Sequence, residues 1–310
     1  MFFVYTLEDN IRQPISFTKD TSVIRPRNVT LRKRKQLLDN LYNTFDASYI
    51  ASDPIQMIHC FEQPCDQEIM AVLASAMAFG QVAQINKALS SMLTLMNNQP
   101  HYYVTHFDPE HELPRWQKWY YRMIRAEDVL RVLHALKIIL QKHQTLGKWI
   151  ESHYRNEDVH LGITWSRCVN ELKDTDKKHW QWRHARGVGF TFLLADPSKK
   201  SACKRAFLML RWMVRKDGID LGLWNLPTSK LLIPVDTHIQ RIAFYIGLTK
   251  RTDTSQKTAM EITYALKKLD AIDPVKYDFA ICRLGILKMC PRKRRIVLCR
   301  ACPIYDICLL

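Results

Sequence analysis

Ile233-Pro234-Val235-Asp236-Thr237-His238-Ile239-Gln240-Arg241-Ile242 contains a complete helix start. Pro234 keeps the chain before it extended. Asp236 then falls where a helix over 237–246 would begin. An aspartate there can cap the helix, with its carboxylate turned out of the helix end. Capping alone would account for it, and a carboxylate held at a helix end can equally serve chemistry. Helical spacing recurs on either side. It runs from Leu31 to Phe45 behind the basic run Arg32–Lys35, from Glu68 with Asp66 as N-cap, and from Val82 to Met96 after a break at Gly80. It continues from Ala126 to His143, Ala202 to Arg215 and Lys257 to Leu269. In each, apolar residues return at three- and four-residue intervals. No segment alternates apolar and polar residues as a half-buried strand does, so the expected fold is all-α.

The 310 residues imply about two domains or one two-lobed unit. A hydrophobic share of 47% with 25% charged residues excludes a disordered chain. Only 9 glycines are present, against a Gly-rich nucleotide-binding α/β fold or a turn-dense β-sandwich. Lys and Arg number 46 against 30 Asp and Glu, a net charge of +16. Such an excess calls for an anionic partner, nucleic acid first. No apolar run approaches the roughly 18 residues that span a bilayer. Met1 to Asn10 carries Glu8 and Asp9 and lacks the pattern of a secretory signal. A cytoplasmic location without membrane association is expected.

Four of nine cysteines crowd the C-terminal end as Cys290-x8-Cys299-x2-Cys302-x5-Cys308. In a reducing compartment the cluster points to metal ligation before disulfides. Structural zinc sites usually pair two C-x-x-C knuckles. A single C-x-x-C flanked by lone cysteines fits a [4Fe–4S] cluster better, with zinc, free thiols or disulfides as alternatives. The loop Arg292-Lys293-Arg294-Arg295 lies between the first two ligands and would anchor phosphates if pinned by the metal.

The run Val-Asp-Thr-His-Ile-x-Arg-Ile, followed by this cysteine pattern, resembles the endonuclease III branch of the helix-hairpin-helix–GPD DNA glycosylase superfamily. Asp278–Gly285 stands where that branch has an apolar helix ending at a glycine. Within the superfamily the chain is most similar to a subfamily catalogued as a domain of unknown function. That similarity rests on Ser52–Ile55, Ala78–Lys87, Ser201–Arg205, Leu210–Lys216 and Asp273–Ala280. Two departures stand out. The first cysteine loop is two residues longer than in the branch, and the hairpin lacks the family's Leu-Pro-Gly-Val-Gly. The matching hairpin is Asp196–Ala202, in which Lys199 and Lys200 would hold the phosphate in place of bare amides.

Bifunctional members of the superfamily carry a lysine at the start of the helix after the hairpin. Two registers fit, Lys200 and Lys204. Lys204 is preferred, because it places Lys200 and Ala202 at the two glycine positions and starts an apolar face at Ala206. The resemblance implies base-excision repair by a DNA glycosylase with AP-lyase activity, acting as a monomer on double-stranded DNA with a damaged or mismatched base. Asp236 would stabilise positive charge on the sugar. Lys204 would attack C1′, its pKa lowered by burial beside Lys200, Arg205 and Arg211. Met77 would be either an apolar wedge in the DNA stack or a core residue. Arg205 and Arg211 would bind DNA. A non-catalytic iron–sulfur nucleic-acid-binding protein and a monofunctional glycosylase are the rivals. The expected layout is an extension at 1–27, a terminal lobe of 28–67 with 231–310, and a six-helix lobe with the hairpin at 68–230, with a DNA-binding cleft between the lobes.

Overall fold

The computed structural model describes residues 29–179 and 188–310. The extension expected over 1–27 lies outside the described residues. The fold is all-α. The helices are α1 (Leu31–Thr44), α2 (Gln56–His59), α3 (Pro64–Ala76), α4 (Val82–Leu95), α5 (Pro100–Thr105), α6 (Pro109–Trp116), α7 (Ala126–His143) and α8 (Leu146–His153). They continue with α9 (Leu161–His179), α10 (Val188–Leu193), α11 (Lys204–Val214), α12 (Thr237–Tyr245), α13 (Gln256–Lys267), α14 (Asp278–Ile286) and α15 (Ile296–Arg300). The described residues contain one small sheet, the hairpin of Tyr120–Tyr121 (β1) with Ile124–Arg125 (β2).

Helix α7 has the expected bounds and is the central pillar, packed against α5, α6, α8, α9 and α10. Its start is fixed by Asp128, which accepts from Arg125 N at 3.0 Å and from Phe190 N at 2.9 Å, tying α10 to α7. Helix α3 begins at Pro64, earlier than expected. Proline suits the first helical position because the amide there has no partner to lose. The expected cap, Asp66, instead accepts from His101 N at 2.8 Å and fastens the first turn of α5. Glu68 is buried in α3, where its carboxylate accepts from Leu146 N, Gly147 N and Trp224 Nε1 and so caps α8.

Helix α3 also packs on α11. Helix α1 lies on α14 and α14 on α12, so the N-terminal helix joins the C-terminal segment. A continuous apolar core runs through both groups of helices and includes the fully buried rings of Trp116, Trp149, Trp212 and Trp224. Each aliphatic or aromatic side chain so buried contributes about 1.5–3 kcal/mol before the entropy of ordering it. The α12–α14 contact needs a glycine. A Cβ on Gly285 would stand 2.3 Å from His238 Nδ1, so only hydrogen lets the imidazole lie on α14.

Candidate active site

Two helix starts meet here. Asp236 caps α12: its Oδ1 accepts from His238 N and Ile239 N, both at 2.9 Å. The other oxygen, Oδ2, lies 3.2 Å from Lys204 Nζ. Lys204 is the first residue of α11, which starts two residues later than the spacing suggests because Cys203 has a left-handed backbone (φ 42°). Both side chains line a cleft of about 530 Å3. Its walls come from residues 52–54, the segment after α3 (Ala78–Val82), Lys204, Leu208 and Arg211 of α11, the 234–239 segment and one face of α14. A second concavity adjoins it across Ala78, Phe79 and Lys204, lined by Lys199 and Arg205.

Burial by itself would lower the pKa of Lys204. The Asp236 carboxylate outweighs burial and holds the ammonium above the ordinary lysine range. Burial conversely pushes Asp236 up, and Lys204 with the α12 amides outweighs it, holding the carboxyl below its usual range. The depression of Lys204 expected from basic neighbours is therefore corrected. Lys200 is exposed and the Arg211 guanidinium is paired with Asp220 and Asp278, while Asp236 is in contact.

The hairpin between α10 and α11 contains a short 3-10 turn, Pro197–Lys199. Lys200 has φ 60°, so it adopts the left-handed conformation that a glycine would supply. Of the two expected glycine positions this one is left-handed; the other left-handed residue is Cys203 rather than Ala202. Lys199 and Lys200 are exposed, as are Arg292, Lys293, Arg294 and Arg295.

Three expected DNA-contacting residues are placed elsewhere. Met77 is completely buried, so core packing is its role and a wedge into DNA is not. Arg211 is 2% exposed; it donates Nη1 to Asp278 Oδ2 and Nε to Asp220 Oδ1 at 3.2 Å. Arg205 is half-buried and faces inward. It donates to Ala76 O at 2.8 Å and Phe192 O at 2.5 Å, with its guanidinium 4.0 Å above the Phe192 ring centroid. It fastens α11 to α3 and α10, and burial lowers its pKa to about 10.

The four terminal cysteines line one small cavity together with Ile242, Tyr245 and Ile304, and no disulfide links them. Burial, reinforced by the neighbouring thiols, pushes Cys290 up to about 11. Among the described residues no group of three or more His, Cys, Asp or Glu is placed to hold one metal ion. Backbone ties close the cavity. Tyr245 Oη donates to Arg292 O at 2.8 Å and Leu309 N donates to Tyr245 O at 2.7 Å. Helix α12 thus presents Asp236 at one end and borders the cysteines at the other, about 13 Å away at 1.5 Å per residue.

Sequence reasoning missed Asp53, Phe79 and Asp278 as cleft residues. Asp278 lies i−4 from Cys282 on one face of α14, a spacing that could have flagged it. Asp53 accepts from Arg283 Nη2, a partner far away in sequence.

An all-α chain with a lysine–aspartate pair in a cleft between two helix starts is the class that the fold and the site define. The chain belongs to the family described as Protein of unknown function (DUF2400), whose model matches residues 53–287. No curated protein and no solved structure is significantly similar to it. Among the described residues no helix is long and apolar enough to cross a membrane.

Proposed function

We propose that the chain is a DNA glycosylase of base-excision repair in the helix-hairpin-helix–GPD superfamily, with AP-lyase activity through Lys204. The observation that carries the reading is the 3.2 Å approach of Lys204 Nζ to Asp236 Oδ2 inside the cleft. Breaking an N-glycosidic bond builds positive charge on the sugar, and a fixed carboxylate stabilises it. A neutral amine can then bond to C1′ while the glycosidic electron pair leaves with the base. The Schiff base that follows allows β-elimination of the strand. Double-stranded DNA suits the +16 net charge, and the exposed Lys199, Lys200 and Arg292–Arg295 are the phosphate contacts.

In the same reading Cys290, Cys299, Cys302 and Cys308 hold a [4Fe–4S] cluster. Four thiols around a cavity suit a cluster whose cysteines bind separate irons. Zinc would instead draw its thiolates onto a sphere of about 2.3 Å radius. The cluster's part is structural: it would pin the Arg292–Arg295 loop and the end of α12.

One observation favours a second reading. Asp236 holds Lys204 protonated in the free protein. If the amine stays charged with DNA bound, the chemistry is monofunctional: Asp236 acts, with water as nucleophile. Borohydride reduction in the presence of abasic and lesion-bearing duplexes tests the set. A covalent adduct through Lys204 supports the lyase. Excised base without adduct supports the monofunctional enzyme. Tight binding with neither product nor adduct leaves a binding protein.

A further inference from the structure

Two tips at the rim of the cleft each place a cation beside an exposed apolar side chain. The first is the turn of the β1–β2 hairpin, Arg122–Met123. Tyr121 Oη donates to Phe79 O at 2.5 Å and docks the hairpin on the segment after α3. The Arg122 guanidinium then lies 5.6 Å from the Phe79 ring centroid, and a Cβ on Gly80 would stand 2.9 Å from its Nη1. Phe79 and Gly80 line the cleft, so Arg122 is at its rim. Met123 beside it is 54% exposed. The second tip is the end of α14, Leu287–Lys288. Lys288 lines the cleft and is exposed, and Leu287 is 42% exposed.

Both cations hold positions where glycine is usual. Arg122 (φ 54°) is the first central residue of a two-residue hairpin turn, and Lys288 (φ 59°) follows the last turn of α14. A side chain in that backbone costs free energy that a glycine would not. What the cost retains is a charge at each tip. Among the described residues neither cation is ion-paired with a carboxylate. The β1–β2 hairpin packs on α7, and Lys288 extends the helix that packs on α1 and α12. The two tips therefore reach the cleft from different groups of helices.

We infer that the Arg122–Met123 and Leu287–Lys288 tips form a two-point DNA clamp on the mouth of the cleft. The cations take backbone phosphates on either side of the nucleotide that turns into the cleft, and Met123 and Leu287 pack against the base pairs left behind. The inference rests on the glycosylase reading and names the residues that hold the strand while that nucleotide leaves the stack. Phosphate contacts fix the protein's position on the duplex without reading its sequence. Apolar side chains that cover the vacated stack offset part of the stacking lost when a base is turned out.

The test uses the full chain and a duplex carrying a tetrahydrofuran abasic analogue, which cannot form a Schiff base. Arg122→Gln with Lys288→Gln should lower the slope of log affinity against log salt by about 1.8, at about 0.9 for each phosphate. The control pair Lys148→Gln with Arg155→Gln, exposed residues on and just after α8 that do not line the cleft, should leave the slope unchanged. Met123→Ala with Leu287→Ala should cut the preference for the abasic duplex over an intact one by about tenfold or more. A slope that falls equally in both charge pairs, or in neither, overturns the clamp. So does an abasic preference that is absent from the wild type or survives the alanine pair. Should the glutamine pair lack a cooperative melt, Arg122→Gly with Lys288→Gly suits the backbone at both positions and gives the same reading. None of these measurements requires chemistry. Adduct or excised base with unchanged slope and preference sinks the clamp alone, whereas no adduct, no excised base and no DNA binding sinks the glycosylase reading and the clamp with it.

Discussion

Replacing Asp236 by Asn separates its two jobs. The cap should survive: Asn Oδ1 can still accept from His238 N and Ile239 N, each now at 2.9 Å, and Asn caps as well as Asp. The ion pair is lost. At 3.2 Å the direct attraction is about 5 kcal/mol for an effective dielectric of about 20. Most of that is offset by desolvation, and Lys204 remains 35% exposed. The net loss in stability should be about 1–2 kcal/mol, a few degrees in melting temperature for a chain of this size. The effect on chemistry should be larger, because the carboxylate meets a full developing charge in the transition state. We expect excision to slow at least about a hundredfold, or about 2.7 kcal/mol in the barrier. Single-turnover excision with saturating protein, alongside calorimetric melting and a DNA-binding titration, reads all three. A lowered melting temperature with unchanged excision would refute the reasoning and leave Asp236 as a helix cap.

Lys204→Gln should abolish borohydride-trapped adducts while binding stays nearly intact, and Lys200→Gln should weaken binding and leave trapping; the reverse pattern would assign the amine to Lys200. Because Asp236 raises the Lys204 pKa, the neutral amine becomes commoner as pH rises, so the trapping rate should climb from neutral into alkaline pH, and a flat profile would contradict the ion pair. The stabilising part of that pair is present below the usual lysine range and is lost as pH rises through the raised value. Anaerobically purified protein should be brown, with about four irons per chain, and Cys302→Ser should lower the stability of the α12–α15 region; stoichiometric zinc would reject the cluster. Changing Arg292, Lys293, Arg294 and Arg295 together to Ser should flatten the salt dependence of DNA binding by about 0.9 log units per log salt for each phosphate no longer neutralised, and an unchanged slope would leave the loop facing solvent.

The sequence patterns read out most directly where local rules decide. Helix α7 could be bounded to the residue because its apolar stripe is unbroken and acids stand at its start. Asp236 as a cap is legible for the same reason, since it depends on neighbours within a turn; spacing alone starts α11 at Ala202, and the preference for Lys204 comes from the family resemblance. Arg211 was not. All of α11 from Ala206 to Val214 is buried, so no polar face distinguishes an arginine in the core from one facing DNA. Its partners Asp220 and Asp278 lie 9 and 67 residues away, and only the folded chain brings them in. Met77 ends a helix that is buried on every side from Glu68 to Ala76, which periodicity in a one-sided amphipath cannot anticipate. The Lys204 pKa went wrong in sign because the sequence displays nearby cations and hides the distant anion.

The hairpin at 196–203 has a cost and a benefit that belong to chain entropy. Glycine visits left-handed backbone freely, and so a glycine hairpin must be ordered each time it closes on a ligand. Lys200 and Cys203 occupy that region with side chains attached, at a cost on the order of 1 kcal/mol each. Folding bears that cost once, and the chain has fewer alternative shapes left to lose. A hairpin of this kind reaches its ligand already shaped. It trades the pliancy of glycine for stiffness, and it will tolerate a narrower range of approach geometries in whatever it grips.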